Sequence, residues 1–153
     1  MIAPLPRHVT TLLATYFAAS LLHFAHNAEF IAFYPNMPAW LTRENVYLAW
    51  LAVTSVGVAG VVAARFGLGA LGALLVGAYG ALGLDGLAHY SLALCSEHTL
   101  AANLTIWFEA AAGLLLAVAS VLWRVNIHVK KASTLVGCFR VHPRLLPETI
   151  RNS

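Results

Sequence analysis

Four long apolar runs, separated by short polar interruptions, organise the chain. They cover residues 10–33, 46–64, 68–94 and 100–123. Each is close to the roughly 20 apolar residues that a helix needs to cross a bilayer. The first run ends in Tyr34-Pro35-Asn36 with Pro38 just beyond, residues that stop a helix and turn the chain. The second closes at Arg65. The connections are short, so neighbouring helices are expected to be antiparallel. Trp40, Tyr47, Trp50, Tyr90 and Trp123 fall near the predicted span ends, where amphipathic rings favour the membrane interface. The first run does not read as a secretory leader. It is too long, it contains His23, His26 and Glu29, and no small-x-small cleavage site follows it. The pattern predicts an all-α integral membrane four-helix bundle over residues 1–123, followed by a basic tail over 124–153.

Composition agrees with the pattern. Of 153 residues, 60% are apolar and only 10% charged, against about 25% charged in a soluble domain. The net charge is +3, and its placement carries more information than its size. With four spans, Arg7, Arg65, Arg124, Lys130, Lys131, Arg140, Arg144 and Arg151 fall on one side and Arg43 alone on the other. The positive-inside rule then puts both termini in the cytoplasm; in a bacterial host the membrane is the inner one. The tail carries Pro143 and Pro147, is too polar to span, and is suited either to rest on anionic lipid or to be a loosely ordered end. Nucleic acid is not expected as a partner, because the basic residues form no stripe with interleaved aromatics. Cys95 and Cys138 fall on opposite sides of the membrane and make neither a disulfide framework nor a zinc motif.

The third run carries Gly77, Gly80, Gly83 and Gly86 at a spacing of three, with Gly69 and Gly72 before them. In lipid, small residues let backbones approach closely, so these glycines read as a packing seam, within one chain or between two copies in a homo-oligomer.

Three of the six carboxylates, Glu29, Asp85 and Glu109, lie inside spans, as do three of the seven histidines, His23, His26 and His89. An ionisable group at the bilayer centre costs at least about 2.5 kcal/mol, so such groups face a bundle interior or a wet cavity. At about 1.5 Å per residue, His23, Asp85 and Glu109 fall roughly 15 Å below the outer helix ends, and His26, Glu29, His89 and Asn103 roughly 6 to 10 Å below them. Glu44, Glu97 and His98 are placed to roof the same region. His23, His26 and Glu29 form a diagonal strip on the first helix, with Asn27 near that face. Asp85 and His89, four apart, are expected to point the same way and to hydrogen-bond to each other. One polar cavity, opening to the outer side, is the expectation.

Imidazole and carboxylate together suit zinc, iron or manganese, so His23, His26, Glu29, Asp85, His89 and Glu109 are the candidate metal ligands. Di-iron bundles use Glu-x-x-His, whereas this chain has the reverse order at His26-x-x-Glu29. Without a metal, Glu29, Asp85 and Glu109 are the candidate catalytic acids or bases. A purely structural polar knot between helices is the rival. Outside this set, Asn103 reads as a bond to the first turn of the fourth helix, and Ser20, Ser55 and Ser91 as bonds back to helix carbonyls.

The segment His26-Asn27-Ala28-Glu29, late in the first helix and followed by Pro35 and Pro38, resembles the bacterial membrane-protein family named for its His-x-x-Glu-Glu motif. Phe30 stands where that motif has its second glutamate. The resemblance implies a small multi-helical membrane protein and names no particular activity. The expected function is a membrane-embedded site that binds a metal or performs acid–base chemistry on a small apolar or lipid-like substrate. A small proton-coupled carrier and an assembly subunit are the alternatives.

Overall fold

The computed structural model describes residues 5–140, with side chains described as far as Val129. Its elements in chain order are α1 (Arg7–Glu29), a 3-10 turn (Ile31–Phe33), α2 (Arg43–Arg65), α3 (Gly69–Leu82), a 3-10 segment (Gly83–Ala88), α4 (His89–Leu92), a 3-10 turn (Cys95–Glu97) and α5 (Leu100–Arg140). Four helical crossings, Arg7–Glu29, Arg43–Arg65, Gly69–Leu92 and Leu100–Val129, are long and apolar enough to span a membrane. The protein is an all-α membrane four-helix bundle. Its crossings form a ring in which α1 packs on α2 and α5, and α3 packs on α2 and α5.

The surface carries the large apolar side chains. Leu48, Leu51, Val58, Leu71, Leu74, Leu114, Leu115, Val118 and Leu122 are exposed. A soluble protein could not tolerate so continuous an apolar coat, whereas lipid tails solvate it. The interior is built instead from small residues and two tyrosines. A Cβ on Gly80 would come 2.7 Å from the Gly113 carbonyl oxygen, and one on Gly72 would come 2.9 Å from the Gly60 carbonyl oxygen. The glycine seam therefore joins helices of one chain at these positions. Tyr16 packs against Gly83 and Gly113 and meets Tyr79 edge-on, with ring centroids 4.6 Å apart. With Val9, Val76, Leu116 and Ala119 these tyrosines fill the half of the bundle nearer the α2–α3 turn.

The ends of the helices explain their positions. Thr42 Oγ1 accepts the Asn45 N–H at 3.2 Å and caps α2. Gly67, at φ 83°, makes the left-handed turn into α3. Thr99 Oγ1 accepts the Ala102 N–H at 3.1 Å at the start of α5. Asn36, at φ 58°, turns the first loop, and its amide donates to the Leu92 carbonyl at 2.8 Å, tying that loop to the end of the third crossing.

Two boundaries differ from the sequence reading. The third run is not one α-helix, because α3 gives way to 3-10 winding at Gly83. The basic tail does not begin by leaving helical geometry, because α5 continues to Arg140. Arg124 lies within the fourth crossing and the lysines just beyond Val129 continue as helix, since arginine and lysine are good helix formers. Pro143, Pro147, Arg144 and Arg151 lie outside the described residues.

Candidate functional site

The polar residues gather at the end of the bundle that carries the first and third loops. At their centre, His23 and Glu109 are each 2% exposed, and His23 Nε2 lies 3.5 Å from Glu109 Oε2. The pair joins α1 to α5. Gly86 makes the room, since a Cβ there would come 3.2 Å from Glu109 Oε2 and 3.6 Å from His23 Nε2.

The proton positions around His23 follow from its neighbours. Thr105 Oγ1 donates its hydrogen to the Ala102 carbonyl at 2.9 Å, so it accepts from His23 Nδ1 at 3.3 Å. The Asn27 amide nitrogen lies 3.0 Å from His23 Nε2 and 3.2 Å from His89 Nε2. Its two hydrogens go to the two imidazoles, and both Nε2 atoms act as acceptors. His23 is then a neutral imidazole with its proton on Nδ1. Glu109 Oε2 and Asn27 Oδ1 are buried without a hydrogen-bond partner.

Further out, His89 stacks against a ring cluster. Its centroid lies 5.1 Å from Tyr34 and 6.1 Å from His98. Tyr34 Oη pairs with His26 Nδ1 at 2.7 Å. Burial pushes the Tyr34 hydroxyl up to about 12, so it remains an O–H group near neutral pH. His98 is buried, with Nδ1 3.1 Å from the Leu94 carbonyl. Together Glu109, His23, Asn27, His89, Tyr34 and His26 form a polar chain from the buried carboxyl to the loop end.

A cavity of about 200 Å³ opens beside this chain, between α1, α2 and the third crossing. One wall is polar, made by His23, Asn27, Asp85, His89 and Glu109, with Gly86. The remaining lining is mainly apolar and includes Phe24, Met37, Leu41, Val46, Val53 and Leu82. Asp85 is exposed, so it stands at the rim.

The structure thus brings His23, Asp85, His89 and Glu109 to one cavity and leaves His26 and Glu29 off it. His26 faces Tyr34. Glu29 turns toward α2, where Oε1 receives Arg43 Nη2 at 2.7 Å and the Tyr47 hydroxyl at 2.8 Å. The Asn27 amide, and not Asp85, is the hydrogen-bond partner that fixes His89 Nε2. The expected Asp85–His89 pairing assumed 100° per residue. The 3-10 segment advances about 120° per residue, which turns the two side chains away from a common face. Among the described residues, no group of three or more His, Cys, Asp or Glu side chains is arranged to hold a metal ion. The Asn27 amide lies where an ion shared by His23 and His89 would sit.

Sequence reasoning gave Thr105 no role, read Tyr34 only as part of the helix stop and Gly86 only as part of the packing seam, and placed Asn27 only near the face of His23. Thr105 and Asn27 look like ordinary helix polar residues until a neighbouring helix supplies their partner. Asn103 does not bond to its own first turn. It accepts the Tyr90 hydroxyl at 2.8 Å and donates to the Cys95 carbonyl at 2.9 Å, which fastens the third loop. Glu97 accepts the Leu94 N–H at 2.6 Å, and Glu44 lies exposed in the first turn of α2. Comparisons with family models, curated proteins and solved structures give no match.

Proposed function

We propose that this protein holds a small-molecule site inside the membrane, in which Glu109 and His23 exchange a proton with the bound molecule. The site lies in the outer half of the bundle, with both termini on the cytoplasmic side, as the distribution of Arg and Lys implies. The observation that carries this reading is Glu109, a cavity-lining carboxyl whose buried Oε2 lies 3.5 Å from the neutral His23 imidazole, with the uncharged Ser20 hydroxyl as a further polar neighbour. A buried carboxylate without a cationic partner is strongly disfavoured, so the group either takes up a proton or receives one from a ligand. His23 Nε2 is the adjacent acceptor, and the Asn27 amide sets its tautomer. The substrate is small and at least partly apolar, because most of the cavity wall is hydrocarbon. Acid–base chemistry is favoured over metal chemistry because Glu29 and His26 turn away from the cavity.

A carrier would need a polar route through the other half of the bundle. Val9, Tyr16, Val76, Tyr79, Leu116 and Ala119 close that half, and the Gly80–Gly113 contact leaves no gap between α3 and α5.

Infrared difference spectroscopy of the purified protein in lipid nanodiscs tests the reading. A protonated-carboxyl band that responds to external pH is expected in the wild type and in Glu29→Gln, and its loss in Glu109→Gln. Absence of any pH-responsive band belonging to Glu109 would overturn it.

A further inference from the structure

The cavity wall has an uneven supply of hydrogen-bonding groups. Glu109 Oε2 and Asn27 Oδ1 are acceptors, both buried and both without a partner. Asp85 adds a carboxylate at the rim. The Nε2 atoms of His23 and His89 are acceptors too, and both draw on the single Asn27 amide. His23 Nδ1 is turned to Thr105. No lysine or arginine lines the cavity, and Arg43 is paired with Glu29 away from it. The wall therefore asks for hydrogen-bond donors and for positive charge.

Resting on the acid–base reading above, we infer that the ligand is a small organic ammonium ion with a compact apolar body. An ammonium group has up to three N–H donors and no acceptor. Those donors match the carboxyl groups of Glu109 and Asp85, which both line the cavity, and the charge compensates them. Phe24, Met37, Leu41, Val53 and Leu82 then receive the hydrocarbon part. The volume sets its size. A cavity of about 150 Å³ accepts benzene, so about 200 Å³ suits a single ring with a short aminoalkyl arm. An ordered water also donates two hydrogens, but it brings no charge and leaves the apolar wall uncovered. A carboxylate or phosphate ligand would place like charges together.

The test uses three probes of similar shape, benzylammonium, benzyl alcohol and benzoate, with the full chain in zwitterionic nanodiscs and empty discs as background. The readout is the nitrogen resonances of His23 and His89. Saturable shifts with benzylammonium are expected, with none for benzoate and at least tenfold weaker binding of the alcohol. Glu109→Gln should weaken benzylammonium by tenfold or more, equivalent to about 1.4 kcal/mol. Asp85→Asn, at the exposed rim, should weaken it severalfold without unfolding risk to the core. The inference is overturned if benzoate or the alcohol binds as well as the amine, if no probe saturates, or if Asp85→Asn and Glu109→Gln both leave binding unchanged. A pH-responsive Glu109 band without selection for the ammonium probe would sink this inference alone. Loss of that band would sink the acid–base reading.

Discussion

Asn27 is the residue on which the polar cluster turns, because one amide serves two imidazoles on different elements. Interhelical hydrogen bonds in membranes contribute about 0.6 kcal/mol on average and up to about 1.7 kcal/mol. Asn27→Leu removes the contact that joins α1 to His89 and leaves two Nε2 acceptors without a donor. A loss of about 1–2 kcal/mol is expected in thermal unfolding in detergent. Glu29→Gln should change stability by less than about 1 kcal/mol, because its partners are exposed side chains at the surface. Equal effects from the two variants would contradict the geometry. The contrast also shows what a sequence hides at this scale. His23, Asp85, His89 and Glu109 were legible as a group because ionisable residues are rare in apolar runs. Glu29 looked equivalent to them, yet one residue of rotation and a nearby arginine on α2 take it elsewhere. Thr105 was invisible because a hydroxyl in a helix usually satisfies itself on its own backbone.

At the scale of elements, the spans were readable because length and apolarity are sufficient to define them. The winding inside a span was not. Gly83-Leu84-Asp85-Gly86 has no feature that separates 3-10 from α-helix by composition; the winding changes where Tyr16 packs beside Gly83. The helix seam makes a sharper prediction. Gly80→Leu forces a side chain into the Gly113 carbonyl and the Ala117 backbone, and should destabilise the bundle by about 1–3 kcal/mol or more. Gly77→Ala meets the Ser120 Cβ at 3.3 Å and the Ala117 carbonyl oxygen at 3.9 Å and should cost much less. Thermal unfolding of the two variants side by side checks this; a harmless Gly80→Leu would mean that α3 and α5 are not in close contact.

For the whole molecule, the bundle is lopsided. One half is packed with glycine, alanine and tyrosine, and the other holds the cavity and most of the buried polar atoms. In the proposed orientation, the eight-to-one division of basic residues puts the cavity half on the outer side. Cys95, free and exposed in the third loop, reports it directly. In intact cells, a membrane-impermeant maleimide should label Cys95 in a Cys138→Ser variant without permeabilisation. Labelling only after permeabilisation would reverse the topology and with it the side from which the cavity fills. The extent of α5 was not legible, because charge marks where a span ends and says nothing of where its helix does. At about 1.5 Å per residue its 41 residues reach about 60 Å, twice the roughly 30 Å of bilayer hydrocarbon.

The 3-10 segment also acts as a gauge of length and angle. It rises about 2.0 Å per residue where an α-helix rises about 1.5 Å. Six residues, Gly83–Ala88, therefore span about 3 Å more than they would as α-helix, and carry His89 about 120° further round the axis. Rewinding this stretch would shorten the third crossing and swing His89 away from Asn27 without altering one polar residue. The spacing of the imidazoles is thus coupled to a torsional coordinate in the backbone. Whatever tightens or relaxes that coil, from a bulkier neighbour at Gly83 to a thinner bilayer, retunes the polar chain from a distance.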